Sequence, residues 1–333
     1  MTNILQPKSV GSSVSGRRTA FGRNLWAAMA LVALALLALL IGATSRCPPS
    51  APRPYRQVVI LGDPHLPGRN LAAKEQVRRT INGWRDVDLV VAVGDICDLY
   101  GTPAEYAAAR EFFNRLNHPL ALVNGNHDYI YATPASPEAY AKNFNPASKE
   151  ERAEKLTRFR QTFRLSTLSS SRMVGGYLFL FLAADHDRFA VGISEQQMNW
   201  LRTELAHAPR TPTIIVFHGP LKGTQYPFKR HINQPHSVAQ PVEAIQALLA
   251  ANPQVFLWIS GHTHTPATEA SFASPINLYD GRLTNIHNPD MKRETIWTNS
   301  LLLYPDQVVV KTYNHLQGAW LPELTRVIRP PKL

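Results

Sequence analysis

Five short polar motifs, each placed where an apolar run ends, constrain the fold of this chain more than any other feature of its sequence. In every motif a glycine stands close to Asp, Asn or His, and glycine allows the backbone to turn tightly at a strand end. Five such transitions predict that polar side chains collect at the ends of buried strands. In chain order the motifs are Gly62-Asp63-Pro64-His65, Gly94-Asp95-Ile96-Cys97-Asp98, Gly125-Asn126-His127-Asp128, His218-Gly219-Pro220 and Gly261-His262-Thr263-His264.

The first three motifs are evenly spaced. Asp63 and Asp95 are 32 positions apart, and Asp95 and Asn126 are 31 positions apart. Between them lie patterns over residues 71–84 and 103–116 that predict helices. This spacing is typical of successive βαβ units, whose parallel strands end at one edge of the sheet. The three motifs are therefore expected to meet in space.

The rest of the chain predicts further strands and helices. Residues 130–170, with three prolines followed by a charged run, predict a helical cap inserted over the site, with a peripheral solvated helix as the alternative. Beyond about residue 266 the pattern is β-rich. The predicted strands are 57–61, 88–93, 119–123, 177–183, 213–217, 255–260, 295–303 and 307–313, and the remaining predicted helices are 194–205 and 241–251.

The candidate ligands in the motifs offer oxygen and imidazole nitrogen and no thiolate. Such a set suits Mn, Fe or Zn in a catalytic centre better than a structural zinc site. Asp63 and His65 can turn toward one ion, and the two oxygens of Asp95 can bridge two ions. Two divalent ions held by two aspartates keep a net charge of about +2, which attracts a phosphate ester. The predicted metal ligands are Asp63, His65, Asp95, Asn126, His218, His262 and His264.

The order of these motifs, D-x-H, GD-x-x-D, GNHD, H and GHTH, resembles the calcineurin-like metallophosphoesterase superfamily over residues 57–265. The resemblance implies an α/β protein, a four-layer α/β/β/α sandwich with two divalent metal ions. A hydroxide that bridges the ions would attack phosphorus in a phosphate ester, with no covalent enzyme intermediate. One ion would be held by Asp63, His65, Asp95 and His264, and the other by Asp95, Asn126, His218 and His262.

The resemblance also implies roles beside the metal ligands. His127 would protonate the leaving oxygen or stabilise the charge that builds on phosphorus, and Asp98 would orient His127. Asp128 is expected to shape a turn. The pattern looks most like the branch of class III cyclic-nucleotide phosphodiesterases and purple-acid-phosphatase-like proteins, which indicates a phosphodiesterase or phosphatase. A membrane-associated lipid or nucleotide pyrophosphatase and a catalytically silent metal-binding module are the alternatives.

Residues 26–43 form an uncharged apolar segment of 18 residues, long enough to cross a bilayer as a helix. The basic segment 1–25 predicts a cytoplasmic N-terminus and a catalytic domain exported to the periplasmic or extracellular side. We therefore expect a transmembrane signal anchor, a Pro-rich linker over 44–56 and a metallophosphoesterase domain over 57–333. A cleaved signal peptide, which would give a secreted protein, and lipid attachment at Cys47 are the alternatives.

The composition fits a globular protein and argues against a nucleic-acid binder. The chain has 333 residues, of which 44% are hydrophobic and 18% are charged. Of the net charge of +11, six positive charges lie in residues 1–54, around the apolar segment. The basic balance therefore does not predict nucleic-acid binding. With Cys47 and Cys97 as the two cysteines of the sequence, no disulfide framework is expected, and Cys97 should pack as a small hydrophobe.

Overall fold

Twelve strands in two sheets form the frame of the protein in the computed structural model, which describes residues 53–136 and 144–332. Within these residues the strands are β1 (Arg56–Leu61), β2 (Val87–Val93), β3 (Leu120–Val123), β4 (Ser170–Val174), β5 (Tyr177–Phe181), β6 (Thr213–Val216), β7 (Val255–Ser260), β8 (Leu278–Tyr279), β9 (Leu283–His287), β10 (Trp297–Leu303), β11 (Val308–Asn314) and β12 (Ala319–Ile328). The α-helices of the same part of the chain are α1 (Leu71–Gly83), α2 (Pro103–Asn114), α3 (Asn126–Tyr129), α4 (Lys149–Phe163), α5 (Glu195–His207) and α6 (Val242–Ala251).

Parallel pairing at the centre of each sheet confirms the predicted βαβ units. β1, β2 and β3 run parallel in the first sheet, whose strand order is β12-β11-β10-β1-β2-β3. β5, β6, β7 and β9 run parallel in the second sheet, whose order is β4-β5-β6-β7-β9-β8. The β-rich tail is also confirmed, since β10 pairs antiparallel with both β1 and β11. The sequence pattern does not predict β4, β8, β9 or β12, because these strands are polar, very short or exposed at sheet edges.

Alternating side chains of the central strands fill separate cores on their two faces. In β1, Val58 and Ile60 face the second sheet, whereas Val59 and Leu61 face the helices. This alternation follows from the two-residue repeat of a strand that is buried on both faces. Helices α1, α2 and α4 cover the first sheet, and α5 and α6 cover the second. The structure therefore has the expected α/β/β/α layers.

The predicted cap over residues 130–170 includes α4, which packs on the first sheet's helical layer through the fully buried Phe159. A main-chain hydrogen bond of 2.8 Å, from the Ala132 N–H to the Asn145 carbonyl, joins the two described parts of this segment. Residues 137–143 lie outside the described residues. The placement of a cap over the site therefore stays a prediction.

The predicted signal anchor over residues 26–43 and the basic segment 1–25 also lie outside the described residues, as does most of the linker 44–56. In the part of the chain that the structure does describe, no helix combines the length and the apolar character needed to cross a membrane. The anchor stays a prediction from the sequence.

Candidate metal centre

Unusual backbone conformations mark the ends of the central strands. Asp63, His65, Asp95, His262 and His264 have φ angles of 38°, 47°, 48°, 64° and 52°. All five lie in the left-handed region, which costs a non-glycine residue about 1 kcal/mol or more and is concentrated at functional sites. Five of the nine described non-glycine residues with a positive φ are therefore residues that the motifs predict as ligands.

Two glycines allow the strand ends to approach each other closely. A Cβ atom on Gly125 would lie 2.4 Å from the main-chain nitrogen of Asp95, and a Cβ atom on Gly261 would lie 2.4 Å from Asp63 Oδ2. Both distances are shorter than real Cβ contacts. Glycine is therefore required at both positions so that the polar side chains can meet.

The first group of predicted ligands meets where β1, β2 and β7 end. Ligand atoms of Asp63, His65, Asp95 and His264 all lie within 4.8 Å of one another. His65 Nε2 lies 3.1 Å from His264 Nε2 and 3.6 Å from Asp95 Oδ2. His264 Nε2 lies 3.9 Å from Asp63 Oδ1. The four side chains therefore point toward a common centre.

A second group shares one residue with the first. Ligand atoms of Asp95, His218 and His262 lie within 4.8 Å of one another. His218 Nε2 lies 3.2 Å from Asp95 Oδ1 and 3.1 Å from Asn126 Oδ1. Because Asp95 presents Oδ1 to this group and Oδ2 to the other, its carboxylate has the arrangement needed to bridge two ions.

Hydrogen bonds to main-chain carbonyls fix the candidate imidazole ligands. Nδ1 of His65 and Nδ1 of His218 donate to carbonyls at 3.0 Å and 2.8 Å. Since a carbonyl can only accept, a hydrogen lies on Nδ1 of each ring, and Nε2 is the atom that faces the candidate metal position. His262 is turned the other way, because its Nε2 donates to the His236 carbonyl at 3.1 Å and its Nδ1 is left for an ion.

The electrostatics of the site fit divalent cations. Burial raises the pKa of Asp63 well above its usual value. Burial lowers the pKa of His262 well below its usual value and that of His264 to about 4. Burial also opposes protonation of His218, but the Asp95 carboxylate beside it raises its pKa to about 9. Buried carboxylates and neutral imidazoles are a donor set that two divalent ions would complete, with release of the His218 proton.

His127 lies beside both groups. Its main-chain N–H donates to Asp95 Oδ1 at 2.9 Å, and its ring centroid lies 5.0 Å from that of His65. Its Nδ1 donates to the Leu99 carbonyl at 2.9 Å, which leaves Nε2 to meet a substrate. The Glu105 carboxylate holds this loop in place by accepting the Leu99 N–H at 2.7 Å.

The predicted orientation of His127 by the Asp98 carboxylate needs correction. The Leu99 carbonyl, not the Asp98 side chain, receives His127 Nδ1. The Asp98 carboxylate instead lies 3.4 Å from Lys292 Nζ. The main-chain carbonyl of Asp98 accepts a hydrogen bond from His65 Nδ1, so this residue orients a candidate ligand through its backbone.

Asp128 joins the loops after β2 and β3. Its buried carboxylate accepts three main-chain N–H groups, those of Ile96, Cys97 and Gly125, at 2.7 to 3.1 Å. Three donors on one carboxylate hold the two loops in register. This arrangement agrees with the expected role of Asp128 in shaping a turn. Cys97 is fully buried, as expected for a small hydrophobe.

The five motifs do not include the loop after β9, which also reaches this edge. The Arg293 guanidinium donates to the His264 carbonyl at 3.0 Å and to Asp290 Oδ1 at 2.6 Å. Lys292 brings a further positive charge next to Asp98. Prediction of β9 as a strand parallel to β7 would have placed this loop at the same edge. Polar residues inside β9 hide that strand in the sequence.

Two sheets that bring two overlapping groups of metal-type ligands to one edge define a protein of the metallophosphoesterase class. The calcineurin-like phosphoesterase family matches residues 56–266, which is more than half of the chain, and the protein belongs to this family. The match confirms the predicted superfamily and supports the predicted class of enzyme, a metal-dependent phosphoester hydrolase.

Curated relatives of this chain are phosphodiesterases. A 3',5'-cyclic-nucleotide phosphodiesterase of Nostoc sp. is 27% identical over 179 residues, which cover 54% of this chain and 56% of that protein. A glycerophosphodiester phosphodiesterase of Enterobacter lignolyticus is 29% identical over 156 residues, which cover 45% of this chain and 48% of that protein. The chain thus spans about half the length of the curated relatives it matches.

Solved structures share the fold. A dimetal phosphatase from Danio rerio has a TM-score of 0.57 at 16% identity, covering 84% of this chain and 100% of that one. A purple acid phosphatase from yellow lupin seeds has a TM-score of 0.56 at 15% identity, covering 83% of this chain and 54% of that one. At these identities the similarity concerns the fold alone.

Proposed function

We propose that this protein hydrolyses phosphodiesters at a centre of two divalent metal ions. The observation that carries the proposal is the sharing of Asp95 between two groups of ligand atoms, each gathered within 4.8 Å. A single structural ion would need one such group and no bridging carboxylate. The residues that would hold the ions are Asp63, His65, Asp95 and His264 in one group, and Asp95, Asn126, His218 and His262 in the other.

Two divalent ions, when bound, supply a polarising charge at the phosphoryl oxygens and lower the pKa of the water that acts as nucleophile. The chain supplies two carboxylates and neutral ligands, so the centre keeps a positive charge of about +2 that draws in an anionic ester. Hydrogen bonds to carbonyls keep the rings of His65 and His218 in fixed orientations. The protein thus prepares the site before substrate arrives.

His127 is the residue placed to handle the leaving group. Burial lowers its pKa, while the Asp95 carboxylate acts in the opposite direction. An anionic substrate beside the ring raises the pKa and favours a proton on Nε2. With Nδ1 held by the Leu99 carbonyl, Nε2 passes this proton to the leaving oxygen as its bond to phosphorus breaks.

The curated relatives support a diester as the substrate. Both relatives described above are phosphodiesterases, one for cyclic nucleotides and one for glycerophosphodiesters. Their shared chemistry is a phosphate with two ester bonds, of which one is broken. The alternative of a lipid or nucleotide pyrophosphatase requires instead a second phosphate as the leaving group.

The test is a screen of the full chain reconstituted with Mn²⁺, Zn²⁺ or Fe²⁺ against a chromogenic diester, a monoester and a pyrophosphate diester. We expect the diester to be hydrolysed fastest. Asp95→Asn should lose bound metal and at least about 1000-fold in kcat/KM, because it removes the shared ligand. His127→Ala should retain its metal and lose about 100-fold or more, which is the usual contribution of a positioned acid.

Asp187→Asn is the matched control, since the Asp187 side chain is 72% exposed. It should retain the wild-type rate and metal content. Near-normal hydrolysis by Asp95→Asn would refute the dinuclear centre. Fastest turnover of the pyrophosphate diester would favour the pyrophosphatase, and a metal-loaded protein without turnover would favour the silent binding module.

We also propose, from the sequence, that residues 26–43 anchor the protein and that the catalytic domain is exported. The uncharged length of this segment and the basic residues before it support the proposal. A reporter enzyme that is active only outside the cytoplasm, fused after residue 56, should be active in cells. Mass spectrometry of the purified protein would show whether the segment is retained or cleaved.

A further inference from the structure

An aromatic surface lies beside His127. The ring centroids of Tyr131 and Phe144 are 4.9 Å apart, and we call this pair the aromatic platform. The His127 ring lies 5.1 Å from Tyr131 and 5.7 Å from Phe144. The same imidazole lies 5.0 Å from His65, a candidate metal ligand. The His127 ring therefore lies between Phe144 and the candidate ligand His65.

The platform is held in place by contacts on its protein side. Phe144 stacks on the buried ring of Tyr100, with centroids 5.7 Å apart and planes inclined by 24°. The Tyr131 hydroxyl accepts a hydrogen bond from Asn126 Nδ2 at 3.1 Å. Main-chain hydrogen bonds of 2.8 Å join the two chain segments that carry the rings. These contacts fix the platform without using its outer face.

The outer face of Phe144 is open to solvent. Its surface is 47% exposed, whereas Tyr100 behind it is fully buried. An exposed ring beside a polar centre contributes little to the core, but it offers a flat apolar face at which a second ring can stack. Stacking of one base on an aromatic side chain changes affinity by about 5-fold to 150-fold.

We propose that the aromatic platform binds a planar ring of the substrate, so that the phosphodiesters preferred by this site carry a nucleobase close to the hydrolysed phosphate. The inference rests on the proposed function, because it places the phosphate at the metal centre. From there one ester substituent extends past His127 and reaches Phe144. A substituent with only aliphatic carbons, such as a glycerol group, gains no stacking contact.

A purely structural role for Phe144 leads to a different result. If the ring only shielded His127 from water, its loss would change the hydrolysis of all esters by the same factor. If the ring binds a base, its loss weakens base-bearing ligands and leaves others unchanged. For a base-bearing substrate the change then lies in KM more than in kcat.

The test compares adenosine 5'-monophosphate with ribose 5-phosphate, two ligands that differ in the base. Their inhibition constants are measured with the metal-loaded full chain hydrolysing a chromogenic diester. We expect the wild-type protein to bind the nucleotide at least about fivefold more tightly. Phe144→Ala should abolish this difference, and Phe144→Trp should restore it.

Met173→Ala is the matched control for loss of an exposed apolar side chain. Met173 is 56% exposed and pairs with Leu178 at the beginning of β5, away from the carboxyl edge. It should leave the ratio of inhibition constants unchanged. Thermal unfolding checks that each variant is folded before its inhibition constants are compared.

Equal inhibition constants in the wild-type protein would overturn the inference while hydrolysis, and with it the proposed function, remained. A preference for the nucleotide that persists in Phe144→Ala, or that also disappears in Met173→Ala, would overturn it as well. A wild-type protein without hydrolysis would reject the proposed function instead. Calorimetric titration of the two ligands would then test base binding at the aromatic platform independently of hydrolysis.

Discussion

Gly125 offers a test of how closely the strand ends must pack around Asp95. A Cβ atom at Gly125 would lie 2.4 Å from both the main-chain nitrogen and Oδ1 of Asp95, and 2.7 Å from Cδ2 of His218. Ordinary contacts of a Cβ atom begin at 3.4 Å. In Gly125→Ala, Asp95 would therefore have to move by about 1 Å, which is the amount by which 2.4 Å falls short of 3.4 Å.

A displacement of this size acts on the residue that both ligand groups share. A misplacement of about 1 Å at a reacting centre reduces the rate about 100-fold. We expect Gly125→Ala to lose about 100-fold or more in kcat/KM for the diester and to bind less metal. Overpacking should also lower the free energy of unfolding by about 1–3 kcal/mol. The measurements are steady-state kinetics, metal analysis and urea unfolding.

Gly83→Ala is the matched control. Gly83 ends α1, and a Cβ atom there would meet no atom within 4 Å. This variant should retain the wild-type rate and gain about 0.5–1 kcal/mol in the free energy of unfolding, because alanine favours a helix over glycine. Wild-type turnover by Gly125→Ala, with full metal content, would refute the argument from packing.

Three further predictions concern metal, acid and the Tyr131 hydroxyl. Mn²⁺ added to metal-free protein at about 100 times its Kd should raise the free energy of unfolding by about 3 kcal/mol per site, and a thermal midpoint that does not move would speak against the centre. Burial lowers the pKa values of His287 and His315 to about 3, so both stay neutral in the folded protein, whereas unfolded histidines take up a proton below about pH 6.5. The contribution of these histidines to the free energy of unfolding should therefore be complete above that pH and fall as the pH drops toward 3. Urea unfolding at pH 5 should show a loss of about 2 kcal/mol for each of the two histidines. The stability of His315→Gln should depend less on acid than that of the wild type. Tyr131→Phe removes the acceptor of Asn126 Nδ2, so metal titration should show affinity for one ion weakened about 10-fold to 100-fold, with equal affinities contradicting a role in orienting Asn126.

The convergence of the ligands could be predicted because the carboxyl ends of parallel strands lie at the same edge of a sheet. Asp63 and His218 are 155 positions apart in sequence, yet Asp63 Oδ1 and His218 Nδ1 lie 3.5 Å apart. The apolar runs locate the strands, and the polar residue after each run locates the edge. Side-chain identity and sequence spacing are sufficient to predict which ligands converge at this edge.

The contacts that orient the ligands could not be predicted, because they depend on how each loop turns. The carbonyl of Leu99 orients His127. Because every residue has a main-chain carbonyl, the sequence does not indicate which one accepts this hydrogen bond. The expected role of glycine in tight turns holds at Gly94, whose φ is 78°, but not at every motif. Gly261 lies outside the left-handed region and provides space, whereas the tight turns fall on Asp63 and His262.

The pairing of β1 with β10 has a consequence for biosynthesis. Val58 pairs with Leu301, which leaves the ribosome 243 residues later, so the first sheet cannot close until most of the chain has been made. A polypeptide truncated after residue 266 would retain every strand-end motif but would leave one side of β1 unpaired. Such an open edge promotes aggregation. Shortened versions trimmed to residues 56–266, the part that the family matches, should therefore be insoluble, even though they keep all the proposed metal ligands.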